Sequence, residues 1–308
     1  MNRLILPLAI VLILAFLGFA LTRPTEQTRT IEVDLSALKA MGYLADSTRL
    51  GLWAVPFTGG DAVYSHDRLV KGDDTLTLVR LSGYRMDLKR SKPGDSLPFS
   101  ISVMPDRDSV FKSYLTLSYT LPRWKKLIGR TLARDAEASL DSVKAFLGDP
   151  GRLYGFPIRN ESVVDTSFLF AKKTINKKEF AAENRAIYDM LIREAERRGA
   201  GYNGVRIFHF EDAGQKRNIY ASIGITRNVE TRESDPVSLK KMPFQMNLLT
   251  LDYKGLYKDL PKAYQALENY RQDYRFVTMA IPFHKYLDAG YGFGDSSLVH
   301  MKVCYPVF

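Results

Sequence analysis

Cysteine is almost missing from this 308-residue chain: the single copy, Cys304, can form no internal disulfide, and no cysteine cluster is available to hold a metal. Set in the apolar closing segment Val303-Cys304-Tyr305-Pro306, it reads as a small buried hydrophobe in a strand. Histidine is scarce too, at four residues. No Ser-His-Asp arrangement, phosphate loop or metal motif can be assembled from the text, so neither a cofactor nor a metal is expected. The segment Gly290-Tyr291-Gly292-Phe293-Gly294 imitates a GxGxG loop on paper. It follows no βαβ pattern and opens no helix, which excludes a nucleotide fingerprint. Long blocks of one charge sign are lacking as well. The net charge of +10 is scattered over both halves in short runs such as Lys172-Lys173, and no nucleic-acid-reading motif accompanies it. Nucleic acid is therefore not an expected partner.

What is present has the composition of a folded protein. Hydrophobic residues make up 45% and charged residues 25%, which argues against disorder, and the length suits about two domains. The run from Leu4 to Leu21 is uncharged and apolar, near the lower limit for crossing a bilayer as a helix. Arg3 precedes it and Arg23-Pro24 end it. The expectation is an uncleaved, single-pass anchor in the inner (cytoplasmic) membrane, spanning 1–24, with the remainder extracytoplasmic. The alternative is a signal peptide removed near Gly18 and Ala20, leaving a secreted protein.

From Ile31 to Asp149 the signals are mostly β, closed by one long helix. Thr75 to Val79, Phe99 to Val103 and Ser113 to Leu121 alternate with period two, and turn clusters such as Lys92-Pro93-Gly94-Asp95 separate them. The helix is expected to start near Pro122, with Trp124, Leu127, Ile128, Leu132, Ala136, Leu140, Val143 and Leu147 on one stripe and Gly148 as its stop. Gly148-Asp149-Pro150-Gly151 marks a domain boundary.

The remainder reads twice as strand, helix, strand, strand, over about 167–228 and 243–308. In the first copy, Asn176 and Glu179 have capping-box spacing before a helix over 177–198, and strands over 205–210 and 219–226 return. In the second, a strand over 244–253 leads through a turn to a helix capped near Asp259, then strands over 277–286 and 298–305. Each copy carries a Phe-His pair, Phe208-His209 and Phe283-His284, about 75 residues apart, the distance of a duplicated half-domain. Equivalence would aim both histidines at the cleft between the copies, where small-molecule pockets tend to lie.

The second copy resembles the GyrI-like effector-binding domain. The matching text is Leu251-Asp252-Tyr253-Lys254-Gly255-Leu256-Tyr257 before the helix, Ile281-Pro282-Phe283-His284-Lys285-Tyr286-Leu287 after it, and Val303-Cys304-Tyr305-Pro306-Val307 at the close. The resemblance covers roughly 167–308 and implies two strand-helix-strand-strand units with a ligand pocket between them. Family members that bind cationic drugs or hydrolyse small electrophiles place a glutamate at the pocket centre, where this chain has His284. A neutral imidazole does not attract a cation. The region 31–150 resembles the START/polyketide-cyclase-like (SRPBCC) superfamily through Leu52-Trp53-Ala54-Val55-Pro56-Phe57, the meander and the long helix, which implies a curved antiparallel sheet with a helix across its mouth.

The fold class expected is thus α+β, with an SRPBCC-like domain over 31–150 and a GyrI-like domain over 163–308. The expected function is binding, without chemistry, of a small hydrophobic or amphipathic molecule between the two copies. The candidate ligand-binding residues are Tyr253, Tyr257, Tyr264, His209, Phe283, His284, Tyr286 and Tyr291, with Phe293 as a further aromatic; in the N-terminal domain Trp53 either lines a cavity of its own or is core. One rival is a hydrolase or isomerase using His284, helped by Tyr286 or Asp288, with Glu211 as another nearby carboxylate. Another is an envelope scaffold that docks a protein partner. No helix-turn-helix precedes the repeats, which argues against a DNA-binding regulator.

Overall fold

A computed structural model describes residues 5–54, 62–65, 67–124, 131–278, 280–288 and 296–308. The chain is α+β and divides into two compact units, Met1–Leu153 and Tyr154–Phe308.

The first unit opens with helix α1 (Ile5–Thr22) and strand β1 (Pro24–Val33), followed by short helices α2 (Ala37–Ala45) and α3 (Leu50–Trp53). Strands β2 (Val63–Ser65), β3 (Arg68–Lys71), β4 (Asp74–Ser82), β5 (Arg85–Lys92), β6 (Asp95–Pro105) and β7 (Ser113–Pro122) then run as an antiparallel meander. β1 returns against β7, so the seven-stranded order is β1-β7-β6-β5-β4-β3-β2. Helix α4 (Thr131–Gly148) packs on β1, β6 and β7. The alternation seen in the sequence sets the faces. Leu115, Leu117 and Tyr119 are buried with Phe99, Ile101 and Val103, and Ala136, Leu140, Val143 and Phe146 of α4 complete the core. Pro122 ends β7, where Pro24 of β1 pairs with it, and helical backbone begins at the next residue, Arg123, close to the expected start. Residues Leu127 and Ile128 lie outside the described residues. Trp53 is fully buried core.

Among the described residues of this unit, one charged side chain is buried. Arg90 of β5 is 2% exposed. Its guanidinium holds Asp74 of β4 bidentately at 3.0 and 2.6 Å and Asp135 of α4 at 2.5 Å, tying the helix to the sheet.

The expected membrane anchor is corrected by the structure. α1 has 18 residues, which at about 1.5 Å each gives about 27 Å against a hydrocarbon core of about 30 Å. Among the described residues no helix is long and apolar enough to cross a membrane. The polar stretch expected to follow an anchor is instead β1, beginning two residues after α1 ends. The inner-membrane location, and the extracytoplasmic placement built on it, are therefore not upheld.

Helix α5 (Pro150–Tyr154) closes the first unit and ends on the first residue of the second, which continues with β8 (Arg159–Ser162), β9 (Ser167–Asn176), α6 (Phe180–Arg197), β10 (Tyr202–Ala213), β11 (Lys216–Ile225) and β12 (Ser238–Lys241). The second copy follows as β13 (Asn247–Leu256), α7 (Leu260–Asp273), β14 (Phe283–Tyr286) and β15 (Leu298–Val307). All eight strands form one antiparallel sheet in the order β12-β9-β11-β10-β14-β15-β13-β8. The copies thus meet at β10 and β14. Asn176 does cap: its side chain accepts from the Lys178 backbone N–H at 3.1 Å, ahead of a short 3-10 turn that feeds α6. Buried Phe180, Ile187, Tyr188 and Leu191 of α6 and Leu260, Ala263 and Leu267 of α7 turn inward onto the sheet.

Candidate functional site

The seam between the copies is built on strand alternation. β10 places Arg206, Phe208 and Phe210 on the face that carries the helices, and β14 places His284 and Tyr286 there, because Phe208 pairs directly with His284. The expected equivalence of the two Phe-His pairs is therefore displaced by one residue. A slip of one moves a side chain to the other face, so His284 stands opposite Phe208 and not opposite His209. Phe283 lies on the far face, buried in an apolar cluster with Val163, Phe168, Ile207, Leu248 and Cys304. Burial pushes the Cys304 thiol up to about 12, which removes it as a nucleophile.

The base of the seam is packed solid with rings. Phe208 touches Phe180, Tyr188, Phe210, His284 and Tyr286 at centroid separations of 5.5 to 6.5 Å. His284 is wholly buried. Its Nδ1 shares a 2.8 Å hydrogen bond with the Tyr264 hydroxyl, and its Nε2 has no hydrogen-bond partner among the described residues. Tyr286 stands edge-on to the imidazole at 5.4 Å and its hydroxyl accepts from Asn184 of α6 at 3.3 Å. Burial, and secondarily the charge of nearby His209, hold the His284 pKa down to about 3, so the ring is neutral. Replacing Tyr264 by Phe leaves the buried Nδ1 without its partner and should cost about 1–3 kcal/mol, read from the urea midpoint.

The open end of the seam is a groove. One part, of about 320 Å³, is walled by His209, Phe210, Pro261, Tyr264, Glu268 and Tyr305. An adjoining part, of about 280 Å³, shares Phe210, Pro261 and Tyr264 and adds Asp212, Arg217, Tyr257 and Leu260. Both copies contribute walls. Charges there are engaged with one another: Arg217 bonds Asp212 at 2.7 Å and lies 4.0 Å over the Phe210 ring, and Arg271 bonds Glu268 at 2.6 Å.

Of the expected site residues, the structure brings Tyr257, Tyr264 and His209 to the groove and sets His284 and Tyr286 beneath it. Tyr253 is directed elsewhere. Its hydroxyl donates to the Leu256 carbonyl at 2.6 Å, passing so close to Gly255 that a Cβ there would meet it at 2.7 Å. Phe283 is on the opposite face, and Tyr291 and Phe293 lie outside the described residues. Asp288 does not assist His284: its carboxylate is 3.5 Å from His300 and its carbonyl accepts from Arg206. Glu211 accepts the Tyr220 hydroxyl at 2.8 Å. An imidazole with a pKa near 3 and no carboxylate partner is a poor general base at neutral pH. Among the described residues no three His, Cys, Asp or Glu side chains converge as metal ligands. Phe180, Phe210, Arg217 and Tyr305 belong to the site and were not anticipated there. The two-residue spacing of Phe208 and Phe210 was the available signal.

No family model matches this chain, and no curated protein matches it. Solved structures do. EcmrR in its DNA complex is 12% identical, with a TM-score of 0.41 over 57% of this chain and 71% of that one. The EcmrR C-terminal domain is 14% identical, with a TM-score of 0.39 over 50% of this chain and 98% of that one. SAV2435, captured with tetraphenylphosphonium, is 13% identical, with a TM-score of 0.34 over 49% of this chain and 93% of that one.

Proposed function

We propose that the C-terminal unit, within about 163–308, is a GyrI-like module that binds a small apolar or amphipathic molecule in the groove at the open end of the inter-repeat seam. One observation carries the reading: Phe210 from the first copy and Tyr257, Pro261 and Tyr264 from the second wall a shared hollow over a rigid floor of rings. Aromatic walls with a few polar tips suit such ligands, and a floor already packed needs little reordering on binding. For the first unit, about 31–150, we infer an SRPBCC-like body. The strand order that returns β1 to β7, with α4 across the sheet, supports it.

The test uses Gln265, an exposed residue of α7 on the groove wall. Gln265→Trp should fill the hollow and leave unliganded stability within about 0.5 kcal/mol. A compound from an apolar aromatic library that raises the melting temperature of the full chain should lose at least tenfold in affinity against this variant. A ligand shift that survives Gln265→Trp unchanged places the binding site elsewhere, and no shift across the library removes the binding reading.

A further inference from the structure

The two parts of the groove differ in charge. In the part walled by Glu268, that carboxylate is taken by Arg271 at 2.6 Å and by Gln272 at 2.7 Å. The adjoining part lies against the β10–β11 hairpin. Asp212 pairs with Arg217 there, two positions beyond the Phe210–Ile219 pair, so both side chains stand on the face that carries the helices. Asp212 bonds Arg217 at 2.7 and 3.2 Å and Lys177 at 3.0 Å. One carboxylate does not neutralise two cations. Lys258 lines the same part and adds another: it has no hydrogen-bond or ion-pair partner among the described residues, and its neighbour Asp259 is bonded to Lys262 at 2.8 Å. This part of the groove is therefore positive.

Arg217 is placed to meet a guest. Its side chain lines the groove and is 15% exposed. Nε and Nη2 are bonded to Asp212, whereas Nη1 has no partner among the described residues, and a guanidinium nitrogen only donates. The same group lies 4.0 Å over the Phe210 ring and 4.6 Å over the Phe180 ring. The ring faces that would hold a cationic guest here already carry the chain's own cation. A cation is thus refused both by charge and by occupancy. The rings of Tyr257 and Tyr264, with Pro261, remain for the apolar body of a ligand.

Resting on the small-molecule reading above, we propose that the groove takes an amphipathic anion, an aromatic body bearing one carboxylate-type group, and that Arg217 and Lys258 hold its negative end. A hydrogen bond from a guanidinium to a carboxylate is about twice as strong as a neutral one, so Arg217 carries most of the discrimination. Lys258 is exposed, and solvent screens its share.

Three naphthalene probes that differ in charge test this on the full chain by calorimetry at neutral pH: 2-naphthoate, its primary amide, and 2-naphthylmethylammonium. The naphthoate should bind about tenfold more tightly than the amide, and the ammonium more weakly than either. Added salt should narrow the gap between naphthoate and amide. Arg217→Gln, in which Asp212 keeps Lys177, should remove most of that gap. Lys258→Gln, at an exposed side chain without partners, should keep the unliganded melting temperature and weaken the naphthoate about threefold more than the amide. Gln265→Trp should weaken naphthoate and amide alike. Equal affinity for those two, preference for the ammonium, or an anion preference that both Gln substitutions leave untouched overturns the assignment of Arg217 and Lys258 and of the ligand class while leaving the groove as a binding site. Failure of all three probes and of the wider aromatic library overturns the binding reading itself, and the assignment with it.

Discussion

Replacing Arg90 by Ala should destabilise the N-terminal unit by about 3–5 kcal/mol, visible as a lower urea midpoint for that unit's transition. The side chain is almost wholly enclosed and serves two carboxylates from different elements, Asp74 on β4 and Asp135 on α4. Removing it takes the bidentate partner from Asp74, which keeps Lys92 at 3.3 Å, and strips Asp135 of this contact in a partly dehydrated space, which costs far more than the pair interactions contribute net. The acid response supplies a second readout. Burial opposes ionisation of Asp74, yet the hydrogen bonds and charge of Arg90 outweigh it and hold the pKa below the ordinary carboxylate value. A lowered folded-state pKa means this stabilisation is full above about pH 4 and is lost as pH falls through the folded value. Wild-type stability should therefore drop on acidification below about pH 4 more steeply than that of Arg90→Ala. Parallel acid profiles for the two proteins would show that the clamp contributes nothing through Asp74.

Phe208→Ala should cost the C-terminal unit about 3–5 kcal/mol and abolish ligand binding in the seam. Five rings rest on this side chain, drawn from α6, β10 and β14. Its removal opens a cavity where the two copies join and frees His284 and Tyr286 to tilt. Phe208→Leu fills part of that space and should recover roughly half of the loss, since the penalty follows residual cavity volume. Equal stability of the Ala and wild-type proteins in urea would mean the copies are held together elsewhere.

Local periodicity made much of this architecture readable. Ser113 to Leu121 alternates so regularly that its inward face, Leu115, Leu117 and Tyr119, follows from the text alone, and Gly148 ends α4 as expected. What the text hid depends on partners distant in sequence. Pro24–Val33 has little apolar character on either face before its end, so nothing local marks it as a ten-residue strand; β7, about ninety residues later, does. Arg159–Ser162 reads as a connector for the same reason and becomes a strand against β13. The Phe-His pairs carried a subtler trap. Matching dipeptides suggested symmetry, but the register pairs Phe208 with His284, and the two-residue period of a strand then sets the two histidines on opposite faces. The ring cluster beneath the groove was half visible: Tyr257, Tyr264 and Tyr286 were expected there, whereas Phe180 and Phe210 become site residues only when the two copies are joined.

The short strands β8 and β12 belong to neither copy, yet each occupies a margin of the eight-stranded sheet. Bare margins expose rows of unmet amides that recruit other chains. Here β12 ends in Lys240 and Lys241, while Glu161 of β8 is clasped by Lys302 at 2.8 Å. Connector sequence has thereby been drafted as selvedge: the doubled fabric is hemmed on both sides, and duplication of a half-domain yields one finite sheet in place of an unending one.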